Sequence, residues 1–321
     1  MIDFAYVRAE SESAAVAALA DDHATVLAGG TELLNWVRLG IAAPERVVDI
    51  GGLDGLRGIT RDGDTLRIGA LTTLNEIGEH PLVVAHAGAL ASACLQAASA
   101  QIRNRATLGG NVLQRTRCAY FRAEEPVPWP CNRRAPGSGC AARHGLHERH
   151  AIFGWTDECV AVQPSDPAVA LAALDAEVDV LGPAGGRTIP MTGFHLTPQE
   201  AGLRENRLDA DELIVGYRLP IGEPDGQAYI KIRERASYEY AIVSAAAAVR
   251  GDGAARVALG SVAGKPWRLP DIVGVPLTRE ALLPAVEERM GDADPLPRNG
   301  FKVTMARNAA VRAVLTAGGS A

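Results

Sequence analysis

Four of the five cysteines, Cys118, Cys131, Cys140 and Cys159, share one stretch with the spacing C-x12-C-x8-C-x18-C. Thiolates gathered this way are ligands for soft metals. The stretch, Thr107 to Asp166, is rich in Arg, Pro and Gly and has almost no hydrophobic periodicity. A long aperiodic loop in a compact chain is functional or disordered, and four cysteines argue that something covalent or metallic orders this one. It contains no CxxC, the knuckle that presents two thiolates to one tetrahedral zinc. Iron–sulfur clusters take four thiolates from more dispersed positions. On spacing alone, zinc, an iron–sulfur cluster and unrelated thiols all stay open. Arg115, Arg117, Arg122, Arg133, Arg134, Arg143 and Arg149 flank the cysteines. Cations raise the potential of a negatively charged cluster, but the same residues suit a partner surface or a solvated loop. His144, His147 and His150 also lie here and are read as non-ligands, since four cysteines suffice. Cys94, alone in an apolar helical stretch, reads as a buried core thiol.

A second kind of chemistry comes from two glycine pairs. Gly29-Gly30 follows the short apolar run Ala24–Ala28 and precedes a helical stretch from Glu32 to Arg38. Strand, glycines, helix is the order that brings backbone N–H groups to an anion; it is also an ordinary tight turn. Gly109-Gly110 sits in Ser99–Asn111 beside Arg103 and Arg105. Two such turns suit a ligand with two phosphates held from two loops. Neither carries a GxGxxG with a downstream acid, which weakens a Rossmann reading. No nucleophile–His–acid arrangement has convincing spacing.

The elements that must position these residues follow from pattern. Ser11–Ala20 is an Ala-rich capped helix. Arg46–Ile50 and Leu66–Ala70 are strands, the latter after an Asp62-Gly63 turn. A helix starts at Thr72-Thr73, and a longer one runs from Pro81 to Ala98 with proline first. Ala168–Ala176 is helical, with Ser165 or Asp166 as its cap. Strands follow at Glu177–Leu181, Leu213–Leu219, Ala228–Ile232 and Ala255–Leu259, around a buried Ala/Val run at 241–249. Two helices close the chain, about 277–290 and 299–315, giving a second domain from near 225 with helices on one side of a small sheet. Length predicts two or three domains. A net charge of −6 and 5% aromatic residues argue against nucleic acid as a partner. No apolar run reaches the roughly 18 residues of a membrane span, and the first residues lack the basic-then-apolar order of a signal peptide.

Val26-Leu27-Ala28-Gly29-Gly30-Thr31-Glu32-Leu33, Thr107-Leu108-Gly109-Gly110-Asn111, Ser165-Asp166 and Lys231 occur in an order that resembles the FAD-binding medium subunit of molybdenum hydroxylases, the xanthine dehydrogenase and carbon monoxide dehydrogenase family. The cysteine segment narrows the resemblance to the iron–sulfur-containing FAD subunit of bacterial periplasmic aldehyde oxidoreductase. The resemblance implies an α+β chain. Its FAD-binding domain is of the vanillyl-alcohol-oxidase (PCMH) type with two subdomains, spans 1–223, splits near 55 and carries a [4Fe-4S] insertion at about 112–163. A small C-terminal α/β domain with an antiparallel sheet spans 224–321.

The same resemblance assigns roles. Val26, Leu27, Ala28, Gly29, Gly30, Thr31, Glu32 and Leu33 would hold the FAD pyrophosphate. Thr107, Leu108, Gly109, Gly110 and Asn111 would form the second flavin loop. Ser165 and Asp166 would meet ribityl or ribose hydroxyls, Ile214 the flavin ring, and Lys231 the isoalloxazine or its phosphates. Glu32 stands where many relatives have Asp, tolerable if backbone amides bind the ligand. Cys118, Cys131, Cys140 and Cys159 would ligate the cluster. The chain would then be an electron-transfer subunit with no substrate catalysis of its own. It would work beside a large molybdopterin-binding subunit and a small [2Fe-2S] subunit, in the cytoplasm or exported folded to the periplasm with a signal-bearing partner. Alternatives are a hydroxybenzoyl-CoA-reductase-like or xanthine dehydrogenase-like subunit, and a non-catalytic module with a structural zinc site.

Overall fold

The computed structural model describes residues 3–21, 23–222 and 226–319. The expected boundary at 223/224 lies outside the described residues, as do the first two residues of the stretch tested for a signal peptide. The described residues form three sheets. The first is parallel, with Arg46–Asp49 between Ala5–Arg8 and Ala24–Leu27. Parallel neighbours need crossovers; Glu12–Leu19, capped by Ser11 Oγ, supplies one, and Leu33–Arg38 the other. The second sheet is antiparallel, in the order Ile59–Asp62, Thr65–Gly69, Leu213–Pro220, Glu177–Gly182, Gly185–Pro190.

The third sheet, Trp267–Arg268, Ala255–Gly260, Val243–Val249 and Gly226–Ile232, is also antiparallel. Its Val243–Val249 strand is buried at every position, because side chains alternate between two covered faces. Val243, Ala245, Ala247 and Val249 meet the core built with Phe301–Ala317, while Ala246 and Ala248 join the core around Gly88–Gln96 and Asp166–Ala173. The two closing helices, Arg279–Arg289 and Phe301–Ala317, pack on one face of the sheet, and helices from earlier in the chain cover the other, so alanines let helices approach it from both sides.

Two local readings also change. The helix expected over Pro81–Ala98 is broken at Ala87, whose φ of −138° and ψ of 49° are not helical, giving Pro81–His86 and Gly88–Gln96. The Gly109-Gly110 segment is not a free turn. It is the short helix Leu108–Val112, capped by Thr107 Oγ1.

His195 fixes the end of that helix. It is buried, its Nε2 lies 2.8 Å from the Val112 carbonyl, and among the described residues its Nδ1 has no partner. Burial pushes the imidazole down to about 4. Between the ordinary histidine value and 4, the unfolded chain takes up a proton that the folded one refuses. Stability is therefore lost as pH falls through that window. We expect His195→Gln, which keeps a donor for Val112, to reduce the loss of urea-unfolding free energy between pH 6.5 and 4.5 by about 2 kcal/mol; an unchanged pH slope would exclude His195 as its source.

Candidate functional site

A cleft of ≈ 620 Å³ opens between the parallel sheet and the second sheet, within the size range of cofactor sites. Its first wall is Val26 and Ala28–Leu33. Gly29 is forced by packing, since a Cβ there would lie 1.9 Å from the Arg105 carbonyl oxygen; Gly30 has φ +75°, where side chains are strained. Among the described residues, the N–H groups of Gly29, Gly30, Thr31 and Glu32 find no protein acceptor. Four successive N–H groups at the edge of a cleft, directly before a helix, make an anion cradle.

Thr107, Gly109, Gly110 and Asn111 form the second wall. Its amides are spent inside the protein. Leu108 N–H donates to Thr72 O, Gly109 N–H to Ala70 O, Gly110 N–H to Thr107 Oγ1 and Asn111 N–H to Thr107 O. The idea of two phosphate-holding turns is thus corrected to one turn of free amides facing a closed helical turn.

Asp166 and Ile214 also line the cleft. Asp166 is buried, and burial pushes its carboxyl above the usual range despite the opposing pull of Lys231 and Tyr229. Lys231 Nζ donates to Asp166 Oδ2 at 2.7 Å and to the Gln96 carbonyl at 3.0 Å, and Tyr229 donates to Asp166 Oδ1 at 2.5 Å. Lys231 does not line the cleft; it holds Asp166 there. Ser165 is likewise behind the wall, capping Asp166–Ala173 and donating to Asn111 Oδ1 at 2.7 Å. Leu27 packs with Leu33, Val37 and Val47, and Leu108 is fully buried in the main core. Four of the expected residues, Leu27, Leu108, Ser165 and Lys231, therefore stand behind the cleft lining rather than in it. Sequence reasoning missed Ala97, Ala98, Ile102, Gln114, Arg117, Tyr238 and Tyr240 in the lining. Ala98, at φ +46°, carried no sequence signal, whereas the paired tyrosines beyond the Ala228–Ile232 strand were readable as aromatic walls.

The chain leaves the cleft lining after Arg117 and returns to it at Pro164. Between them, Cys118, Cys131, Cys140 and Cys159 line one small cavity. Cys131 and Cys140 pair as an isolated bridge. Arg133 Nε donates to Cys159 Sγ at 3.0 Å, and His150 Nε2 lies 3.2 Å from Cys118 Sγ. Burial pushes the Cys118 thiol up to about 12 and raises that of Cys140. Against the penalty of burial, Cys159 and Glu205 hold Arg133 above its ordinary range. Among the described residues no three His, Cys, Asp or Glu groups are placed to hold a single metal ion. His147 is occupied on both nitrogens, by Ala142 O and Arg298 N–H. The flanking arginines are also engaged internally: Arg115 and Arg133 on Glu205, Arg117 and Arg122 on Glu32, Arg134 on Glu125, Arg143 on Asp157, and Arg149 on Glu234 and Glu239.

Breaking a buried pair by removing one partner strands the other charge. Lys231→Met is expected to lower unfolding free energy by about 3 kcal/mol, and Lys231→Arg by clearly less. Urea denaturation of the two variants checks this, and equal losses would contradict the pairing role.

The family described as the FAD binding domain in molybdopterin dehydrogenase matches residues 2–222. The aldehyde oxidoreductase FAD-binding subunit PaoB of Escherichia coli is 41% identical over 307 residues, 95% of each chain. The carbon monoxide dehydrogenase medium chain of Hydrogenophaga pseudoflava is 29% identical, over 91% of this chain and 88% of that one. A solved structure of carbon monoxide dehydrogenase from Hydrogenophaga pseudoflava superposes with a TM-score of 0.76 at 28% identity, covering 100% of this chain and 99% of that chain. Fold, cleft and relatives agree, and the chain belongs to the FAD-binding medium subunits of the molybdenum hydroxylases, as one oxidoreductase subunit of that family.

Proposed function

We propose that this subunit carries electrons for a molybdenum-containing aldehyde oxidoreductase, with FAD in the cleft and a [4Fe-4S] cluster on Cys118, Cys131, Cys140 and Cys159. The observation that carries the flavin site is the run of unpartnered N–H groups from Gly29 to Glu32 at the cleft edge. Those amides take the pyrophosphate, the Asn111 edge and Asp166 take hydroxyls, and Ile214 lies against the ring. Lys231 and Ser165 act by orienting Asp166 and Asn111. FAD supplies the exchange of electrons with an external acceptor; the protein binds, orients and shields it.

The residues also fit a cluster. Four thiols line one cavity, and Arg133 donates to a sulfur. The aldehyde reading is supported by the 41% identity to an aldehyde oxidoreductase subunit. The partners in this reading are a large molybdopterin-binding subunit and a small [2Fe-2S] subunit, in the cytoplasm, with the C-terminal domain beginning at 224. No helix among the described residues is long and apolar enough to cross a membrane.

The full chain is expected to show flavin absorption plus a broad visible shoulder that bleaches on reduction, with four irons per chain. A colourless protein with one zinc would overturn both cofactors. Replacing Gly29 and Gly30 together by valine should release the flavin and leave the iron; full flavin occupancy would move the pyrophosphate elsewhere. Cys131→Ser should lower iron content, and unchanged iron would remove Cys131 from the ligands.

A further inference from the structure

The cysteine loop grips the helix that follows the anion turn. Glu32, at the N-cap of Leu33–Arg38, belongs to that turn. Its carboxylate accepts from Arg117 at 2.9 Å, from Arg122, and from the Trp36 indole N–H at 2.9 Å. At the other end of the helix, Arg134 donates to the carbonyls of Leu39 and Gly40, each at 3.3 Å.

All three arginines are tied to cysteines. Arg117 precedes Cys118, Arg122 N–H donates to the Cys118 carbonyl at 3.0 Å, and Arg134 N–H donates to the Cys131 carbonyl at 2.9 Å. These turns lie outside any helix or strand, and Cys118 and Cys140 pack with Tyr120 against the buried Ala142, Val160 and Leu296. Whatever fixes the cysteines therefore fixes the guanidiniums.

Glu32 is an awkward residue for its position. Its carboxylate sits within a turn whose free N–H groups face an anion, so an unneutralised Glu32 repels that anion. The side chain is only 15% exposed, and water screens it poorly. Arg117 and Arg122 cancel the charge. Arg117 also stacks on Tyr240, 4.5 Å from its ring centroid, and both residues line the cleft.

We infer that Arg117 and Arg122 are positioning residues through which occupancy of the cysteine site sets the affinity of the cleft for FAD, with Glu32 as the charge that makes the coupling. This rests on the cluster reading given above. With the cysteines held, the two guanidiniums neutralise Glu32 and the turn accepts a pyrophosphate. With the cysteines released, the guanidiniums leave, Glu32 is exposed as a negative charge and the flavin is repelled. Linkage makes the effect reciprocal, so bound FAD strengthens retention of the cluster.

The test uses the full chain, stripped of flavin and titrated with FAD, with iron measured on every sample. Iron-loaded wild-type protein is compared with protein whose iron has been removed anaerobically by a chelator. Loss of iron should weaken FAD binding about tenfold, and the difference should shrink in high salt. Glu32→Gln should keep FAD binding with or without iron, reducing the dependence to less than about threefold. Arg117→Gln combined with Arg122→Gln should weaken FAD binding in iron-loaded protein, and adding Glu32→Gln should restore it. Should a variant fail to fold, the salt dependence in wild type remains decisive. Equal FAD affinity with and without iron, or full iron dependence in Glu32→Gln, overturns the coupling and leaves the cluster in place. A wild-type chain that never holds iron overturns the cluster and the coupling together.

Discussion

The arrangement depends on a closure. Ser165 Oγ donates to Asn111 Oδ1 at 2.7 Å, and Gln163 Nε2 donates to the carbonyls of Val112 and Gln114, both at 3.2 Å. These bonds join the two ends of a 53-residue excursion at one point of the cleft wall. Closing so long a loop carries an entropic cost that grows only slowly with length. A large excursion is therefore tolerated provided its ends are pinned. Here the pin is also the cleft wall, so cleft and cysteine cavity share a frame.

The excursion is held by a small apolar cluster around Ala142, Val160 and Leu296 and, beyond it, by buried polar pairing. Guanidinium groups reach backbone carbonyls that have no strand or helix to satisfy them. Arg134 covers Phe121 and Ala123 at 2.8 and 2.9 Å, and Arg122 covers Thr116 and Arg115 at 2.8 and 2.9 Å. A buried carbonyl without a donor is costly, so each arginine replaces missing secondary structure. Asp166–Lys231 follows the same logic in the cleft, since a buried carboxylate is tolerable only when paired and hydrogen-bonded.

Local signals in the chain were readable where the physics is local. Ser11, Thr73 and Ser165 cap the helices their positions predicted. Asp62-Gly63 precedes the expected strand, and the clustered cysteines do share a cavity. The sequence was silent where the deciding partner is distant. Glu32 was read as tolerable at a turn of free backbone amides, and nothing in its surroundings announced its partners Arg117 and Arg122, 85 and 90 residues away. Lys231 was expected at the ligand and instead spends its ammonium on Asp166, 65 residues away. Gly109-Gly110 looked like Gly29-Gly30, yet its amides are consumed by Ala70 and Thr107, and no pattern in the pair itself announces that. The 241–249 run was seen as buried, but its second covering layer comes from Gly88–Gln96 and Asp166–Ala173, helices far earlier in the chain.

The C-terminal helix Phe301–Ala317 carries a lysine whose position has a temporal meaning. Lys302 is fully buried, and its ammonium donates to the carbonyls of Arg149, His150 and Ser261 at 3.3, 2.7 and 2.6 Å; Asn299 adds bonds to His150 and Ala151. The returning limb of the cysteine loop is thus anchored by residues that emerge from the ribosome some 152 positions later. Chains fold from their first-made parts, so both cleft walls exist while this anchor is still unsynthesised. Until residue 302 is made, the carbonyls of Arg149 and His150 lack this ammonium donor.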